Sequence, residues 1–180
     1  MKFKITILRL GHRLGRDKRI STHLGLVARA FGANEIIYVG DVEKDVLEKI
    51  NDITKRWGGS FSVSIEKSYK DVISKWKEKR GLIIHLTMYG INISRKIIKE
   101  IKEQGKKHIL IIVGAKKVPR EIYEIADYNI AIGNQPHSEI SALAIFLDRF
   151  FNGKELNRAY KNAKIKIIPQ ARGKKVIKLS

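Results

Sequence analysis

Six short runs rich in Ile, Val and Leu, at 4–8, 35–39, 61–65, 82–85, 108–113 and 128–132, alternate with segments whose apolar residues recur at helical spacing. Runs of this kind, with few polar alternates, fit strands covered on both faces, as in a parallel sheet. The intervening segments read as helices over 22–31, 44–57, 69–79, 94–104, 119–125 and 137–151, with Pro119 suited to a first helical turn. Strand–helix alternation folds as α/β, a largely parallel sheet with helices on both faces. After Phe151 the pattern changes. Two short strands at 164–168 and 175–179 flank the turn-rich Pro169-Gln170-Ala171-Arg172-Gly173 and read as a basic C-terminal β-hairpin arm. The expected organisation is one domain over 1–152 and a small extension over 153–180.

The chain has 180 residues, 43% of them hydrophobic, enough to bury a core. Its charge is lopsided: 37 Lys and Arg against 18 Asp and Glu leave +19, more than solubility requires. A polyanionic partner is implied. The excess gathers at the ends, with seven basic side chains against one acidic over residues 1–20 and nine against one over 154–180. The lack of cysteine excludes disulfides, thiolate catalysis and Cys-based metal centres, and five histidines without an HxxxH spacing suggest no metal site. No apolar run approaches the roughly 20 residues that cross a bilayer, and the first residues lack a signal-peptide core, so a cytoplasmic location is expected.

In open α/β sheets, ligands gather beyond the carboxyl ends of strands. Three such ends carry glycine and polar residues: Leu86-Thr87-Met88-Tyr89-Gly90, Gly114-Ala115-Lys116-Lys117-Val118-Pro119 and Gly133-Asn134-Gln135-Pro136-His137-Ser138-Glu139. Each alone fits an ordinary strand-to-helix turn. Three in succession point to a shared pocket in the C-terminal half. The first strand, followed by Leu10-Gly11-His12-Arg13, lacks GxGxxG, and no GxxxxGK[ST] loop is present, so the common nicotinamide and ATP enzymes are disfavoured.

Between Arg9 and Thr22 lie Arg9, His12, Arg13, Arg16, Lys18 and Arg19, with Asp17 as the only acid. On a loop, that density reads as a phosphate clamp, so Arg9, His12, Arg13 and Arg16 are expected to bind the polyanionic partner together with Arg172, Lys174, Lys175 and Lys178 of the arm. Asp17 fits either an internal counter-ion or a catalytic group. Ser21 or Thr22 suits a helix cap, and His23 fits a capping or core histidine as well as a substrate contact.

The blocks Leu8-Arg9-Leu10-Gly11-His12-Arg13, Arg16-Asp17-Lys18-Arg19, Thr22-His23, Ala28-Arg29-Ala30-Phe31-Gly32-Ala33, Leu86-Thr87-Met88-Tyr89-Gly90 and Val113-Gly114-Ala115-Lys116-Lys117-Val118-Pro119, with 129–149, span most of the chain. In these blocks the chain resembles the archaeal SPOUT-class tRNA ribose 2'-O-methyltransferases that modify a T-loop cytidine. The resemblance implies a deep C-terminal trefoil knot, a homodimer and bound S-adenosylmethionine. A knot is a rare exception among folds, and no periodicity announces it. By the same resemblance Leu86, then Gly114, Ala115, Lys116, Lys117 and Val118, then Ile132, Gly133, Asn134, Gln135, Pro136, His137, Ser138 and Glu139 would hold the cofactor.

Related SPOUT ribose methyltransferases carry an arginine two turns before Phe31-Gly32, where this chain has Leu26. They also carry Ser-x-Asn in the last motif, where it has His137-Ser138-Glu139. The catalytic group must therefore be sought elsewhere. Arginine is a poor base, with a pKa above about 12, but it can orient a hydroxyl and stabilise the developing alkoxide. Arg19 or Arg16 is expected in that role, with His23, His137 or Glu139 taking the proton. The competing readings are a SPOUT enzyme acting on another RNA ribose or base, and a nonenzymatic RNA-binding α/β protein.

Overall fold

The computed structural model describes residues 3–114 and 117–179. Along the chain come β1 (Lys4–Leu10), α1 (Lys18–Ala30), β2 (Glu35–Val39), α2 (Lys44–Trp57), β3 (Ser62–Glu66), α3 (Tyr69–Glu78), β4 (Leu82–Asn92) and α4 (Arg95–Glu103). They are followed by β5 (His108–Gly114), α5 (Arg120–Ile125), β6 (Tyr128–Ala131), α6 (Glu139–Phe151), a 3-10 turn (Lys154–Asn157), β7 (Ile165–Ile167) and β8 (Val176–Lys178). The first six strands form one parallel sheet in the order β3-β2-β1-β5-β4-β6. β7 and β8 pair antiparallel, apart from it.

Strand alternation sorts the core into two layers. Ile5, Ile7, Ile109, Ile111 and Val113 pack with residues of α1, α2, α4 and α6. Leu8, Leu10, Leu110 and Ile112 pack with Val72, Ile73 and Trp76 of α3 and Ile122 of α5. The α/β expectation therefore holds, helices covering both faces. Arg9 shares the parity of Ile5 and Ile7, which sends its side chain inward beneath α1 and α6.

Two expected boundaries are wrong for instructive reasons. α1 starts at Lys18, so Thr22 lies within it and donates to the Lys18 carbonyl at 2.9 Å. Neither Ser21 nor Thr22 caps that helix. Asp17 holds the cap position but gives its carboxylate to Arg13, accepting from Nε at 2.9 Å and Nη2 at 2.8 Å. β4 does not stop at 85: Leu86 and Ile91 both face Ile130, so residues 87–90 bulge out between them. Gly90 is needed there, because a Cβ would come within 2.5 Å of the Asn129 carbonyl oxygen.

The segment after α6 is pinned along the amino-terminal ends of β2 and β3. Arg158 donates to the Gly32 carbonyl at 3.0 Å, Tyr160 to that of Arg29 at 2.6 Å, and the Gly59 and Lys164 amides bond the Lys161 and Arg56 carbonyls. The β7–β8 pair consequently projects from the opposite end of the sheet to the strand carboxyl ends.

Candidate active site

Beyond the carboxyl ends of β4, β5 and β6 lies a cavity of about 630 Å³, within the range of small-molecule sites. Of the expected cofactor residues, Leu86, Gly114, Lys117, Val118, Ile132, Gln135, Pro136, His137, Ser138 and Glu139 line it. Ala115 and Lys116 lie outside the described residues. Gly133 and Asn134 are not in the wall. Asn134 instead braces the 87–90 bulge, its Nδ2 donating to the Met88 and Gly90 carbonyls at 2.7 and 3.2 Å. Gly133 makes the turn that brings it there, with φ at +74°.

Ser138 caps α6, accepting from the Ile140 amide at 3.2 Å. His137 faces the Ile132 carbonyl through Nε2 at 2.7 Å and the Ser138 carbonyl through Nδ1 at 3.0 Å. With both ring nitrogens against carbonyl oxygens, it braces the loop.

The floor of the cavity contains residues that the sequence did not single out for it. His85 donates through Nδ1 to Asn129 Oδ1 at 2.9 Å, and its ring stands edge-on to Tyr123 at 4.6 Å. Burial pushes its pKa down, so it stays neutral and leaves Nε2 as an acceptor. Tyr123 reaches Thr87 through its hydroxyl at 3.2 Å, and Asn129 Nδ2 donates to the Tyr123 carbonyl at 2.8 Å. The available signal was a histidine closing the otherwise aliphatic Leu82-Ile83-Ile84 run at a strand's carboxyl end.

Because β1 pairs with β5 up to Leu10 and Gly114, the basic segment leaves the sheet beside this cavity. That segment divides. Arg9 is wholly buried, with Nη2 on Glu139 Oε1 at 3.1 Å and Nη1 on His12 Nδ1 at 3.1 Å and on Ser21 Oγ. The His12 side chain is also fully buried, its Nε2 on Glu43 Oε2 at 2.7 Å. Neither can reach phosphate, which corrects the expectation for Arg9 and His12. Asp17, buried under Arg13, is a counter-ion: the Arg13 guanidinium holds its carboxyl below the usual range. Arg16 and Arg19 are exposed and join no ion pair among the described residues. His23, four residues after Arg19 on α1, is exposed too. Arg172, Lys174, Lys175 and Lys178 are exposed on and around β8, away from the cavity.

Among the described residues no group of three His, Asp or Glu could hold a metal ion, and no helix is long and apolar enough to cross a membrane. Comparison with known proteins is consistent from sequence to fold. A family model described as "tRNA ribose 2'-O-methyltransferase, aTrm56" matches residues 57–177. The tRNA (cytidine(56)-2'-O)-methyltransferase of Thermococcus kodakarensis is 54% identical over 181 aligned residues, covering 99% of each chain. The structure of the SpoU methyltransferase AviRb from Streptomyces viridochromogenes, in complex with the cofactor AdoMet, is similar with a TM-score of 0.60 at 14% identity. It covers 85% of this chain, which spans 58% of that one. The A. aeolicus TrmH/SpoU tRNA modifying enzyme gives 0.59 at 16% identity, covering 87% and 78%. These two likenesses speak for the fold, that of the SpoU and TrmH methyltransferases, while the matches in sequence carry the kinship: the chain belongs to the family of tRNA ribose 2'-O-methyltransferases.

Proposed function

We propose that the chain transfers a methyl group from S-adenosylmethionine to the ribose 2'-hydroxyl of cytidine 56 in tRNA, with the cavity beyond β4, β5 and β6 as its cofactor site. The observation that carries this is the 54% identity, over 99% of both chains, to an enzyme named for that reaction. The cavity supports it independently. Leu86, Val118 and Ile132 give apolar walls, strand-end backbone gives hydrogen-bonding groups, and Glu139 supplies one carboxylate to a ligand carrying a sulfonium and an ammonium. When bound, the cofactor supplies a methyl group activated by positive sulfur. The chain's own residues must align the hydroxyl with it and help the proton leave.

Arg19 and Arg16 are proposed to orient the 2'-hydroxyl and stabilise the developing alkoxide. Arg19 and His23 stand four residues apart on α1 and share a face. With His137 engaged at both nitrogens and Glu139 committed to Arg9, His23 is the proposed proton acceptor. Arg13 and Arg16, with Arg172, Lys174, Lys175 and Lys178, are proposed to contact the tRNA backbone, residues 153–180 acting as an RNA-binding appendage. The trefoil knot belongs to the same proposal, supported by β6 lying against β4 and by Asn134 clasping the bulge through which the chain would thread. So do the cytoplasmic location, where tRNA is the partner, and the homodimer. Leu14, Tyr89 and Ile91, 59%, 78% and 72% exposed, supply apolar surface for a second copy.

Incubation with S-adenosylmethionine and a tRNA transcript, then nuclease digestion and mass spectrometry, is expected to place one methyl on the ribose of cytidine 56. A base methyl, or another nucleotide, overturns the assignment. Gly114→Val is expected to weaken S-adenosylmethionine binding at least tenfold by calorimetry, on the order of 1.4 kcal/mol, while the melting temperature moves by only a few degrees. Unchanged affinity would sink the cofactor site. Replacing Arg172, Lys174, Lys175 and Lys178 together by alanine should weaken tRNA binding and flatten log K against log salt by about 0.7–0.9 for each phosphate no longer neutralised. An unaltered slope would remove the arm from the interface.

A further inference from the structure

The expected phosphate ligands Arg9 and His12 prove to be buried, and what they do there is unexplained by cofactor binding or by RNA recognition. Arg9 Nη2 donates to Glu139 Oε1 at 3.1 Å, and Glu139 is part of the cavity wall. Nη1 donates to Ser21 Oγ and to His12 Nδ1, the latter at 3.1 Å. Ser21 Oγ and His12 Nδ1 are themselves 2.6 Å apart. His12 Nε2 is 2.7 Å from Glu43 Oε2, and Glu43 Oε1 accepts from the Gly15 backbone amide at 2.6 Å. A line of short polar contacts thus runs from the cavity wall to the loop residue preceding Arg16.

The chemistry allows little freedom along this line. A guanidinium only donates, so His12 Nδ1 must accept and its proton sits on Nε2, directed at Glu43. Arg9 Nε is buried without a partner among the described residues, so the tip of the side chain alone holds the charge in place. Glu139 makes the only ion pair to that buried cation among the described residues, so a shift of Glu139 is felt at Arg9. Glu43 occupies the cap position of α2, yet its side chain makes no bond to that helix. It turns to the loop instead, and the Gly15 amide, with smaller help from its own backbone amide and the His12 ring, keeps its carboxyl below the usual range. Gly15 has φ at +71°, a conformation that glycine adopts readily.

We propose that Arg9, Ser21, His12 and Glu43 are positioning residues that couple occupancy of the Glu139 wall to the placement of the 11–17 loop, so that cofactor and tRNA bind cooperatively. This rests on the reading of the cavity as the cofactor site. Coupling between two sites is a free energy of linkage, typically about 5- to 150-fold in affinity.

The test is the tRNA dissociation constant with and without saturating S-adenosylhomocysteine, for wild type and for Glu43→Gln. A glutamine can accept from Gly15 or from His12 but not from both. Wild type should bind tRNA at least about fivefold more tightly with S-adenosylhomocysteine present. Glu43→Gln should bring that ratio to within twofold of unity, with S-adenosylhomocysteine affinity and melting temperature nearly unchanged, a pattern that loss of fold would not produce. If Glu43→Gln fails to fold, Ser21→Ala carries the same expectation. A ratio near one in the wild type, or a wild-type ratio retained in the folded variant, overturns the proposal. Wild type that binds tRNA but no S-adenosylhomocysteine would fall on the cofactor site itself and take the coupling with it.

Discussion

Arg19→Ala is expected to lower kcat for tRNA methylation about 100-fold or more, with S-adenosylmethionine affinity within twofold of wild type. The size follows from the role. A donor aimed at charge that develops only in the transition state is worth about 10²–10³ in rate when removed, and Arg19, exposed in the first turn of α1, has no ion pair among the described residues to divert it. Single-turnover rates separate chemistry from binding, and calorimetry reports the cofactor. Arg19→Lys should recover only part of the loss, since an ammonium lacks the planar fork that can hold an oxygen in line. Arg16→Ala in parallel decides which of the two exposed arginines carries the role. If Arg19→Ala turns over at the wild-type rate while Arg16→Ala does not, the assignment passes to Arg16.

The same two arginines show how far residue patterns reach. α2 was legible to both ends, 44–57, because its apolar spacing is regular and Gly58 follows immediately. The three polar strand ends around the cavity were legible because glycine and proline there have few other uses. Asp17 already showed the limit: its side chain has the chemistry of a cap, but Arg13 takes it, and α1 starts before the residues that looked like its cap. The extension of β4 was hidden because 87–90 bulges and the pairing resumes only against β6, about 40 residues on. Arg9 is the sharpest case. Its parity with Ile5 and Ile7 pointed inward while its charge pointed to solvent, and the residue that settles the conflict, Glu139, is 130 positions away. His85 and Tyr123 meet for a similar long-range reason, through the β4–β6 pairing and the α5 that precedes β6.

Glu139→Ala should therefore cost far more than a substitution at the rim of a pocket usually does. Arg9 has no exposed side-chain surface, and Glu139, with 19% of its side chain exposed, is its only ion-pair partner among the described residues. Removing one member of a buried pair costs about 3–5 kcal/mol, because the other charge is left without compensation. Partial access of water to Glu139 brings the cost below that range, to about 2–3 kcal/mol, since exposure screens the pair. In a chain of this size that lowers the melting temperature by about 5–10 °C. Glu139→Gln should cost less, as its amide oxygen still accepts from Arg9 Nη2. The pair replaced as a whole behaves differently: Arg9→Met with Glu139→Leu removes both charges at once and should recover most of the stability lost in Glu139→Ala, because apolar groups of similar volume can fill the space between α1 and α6. Cofactor and tRNA coupling should remain lost in that double variant, since the line from the cavity wall to His12 is cut. Thermal melts of the cofactor-free protein measure the first effect and the linkage ratio the second. A Glu139→Ala protein as stable as wild type would mean that Ser21 and His12 suffice to hold the guanidinium, and the ion pair would lose its structural role.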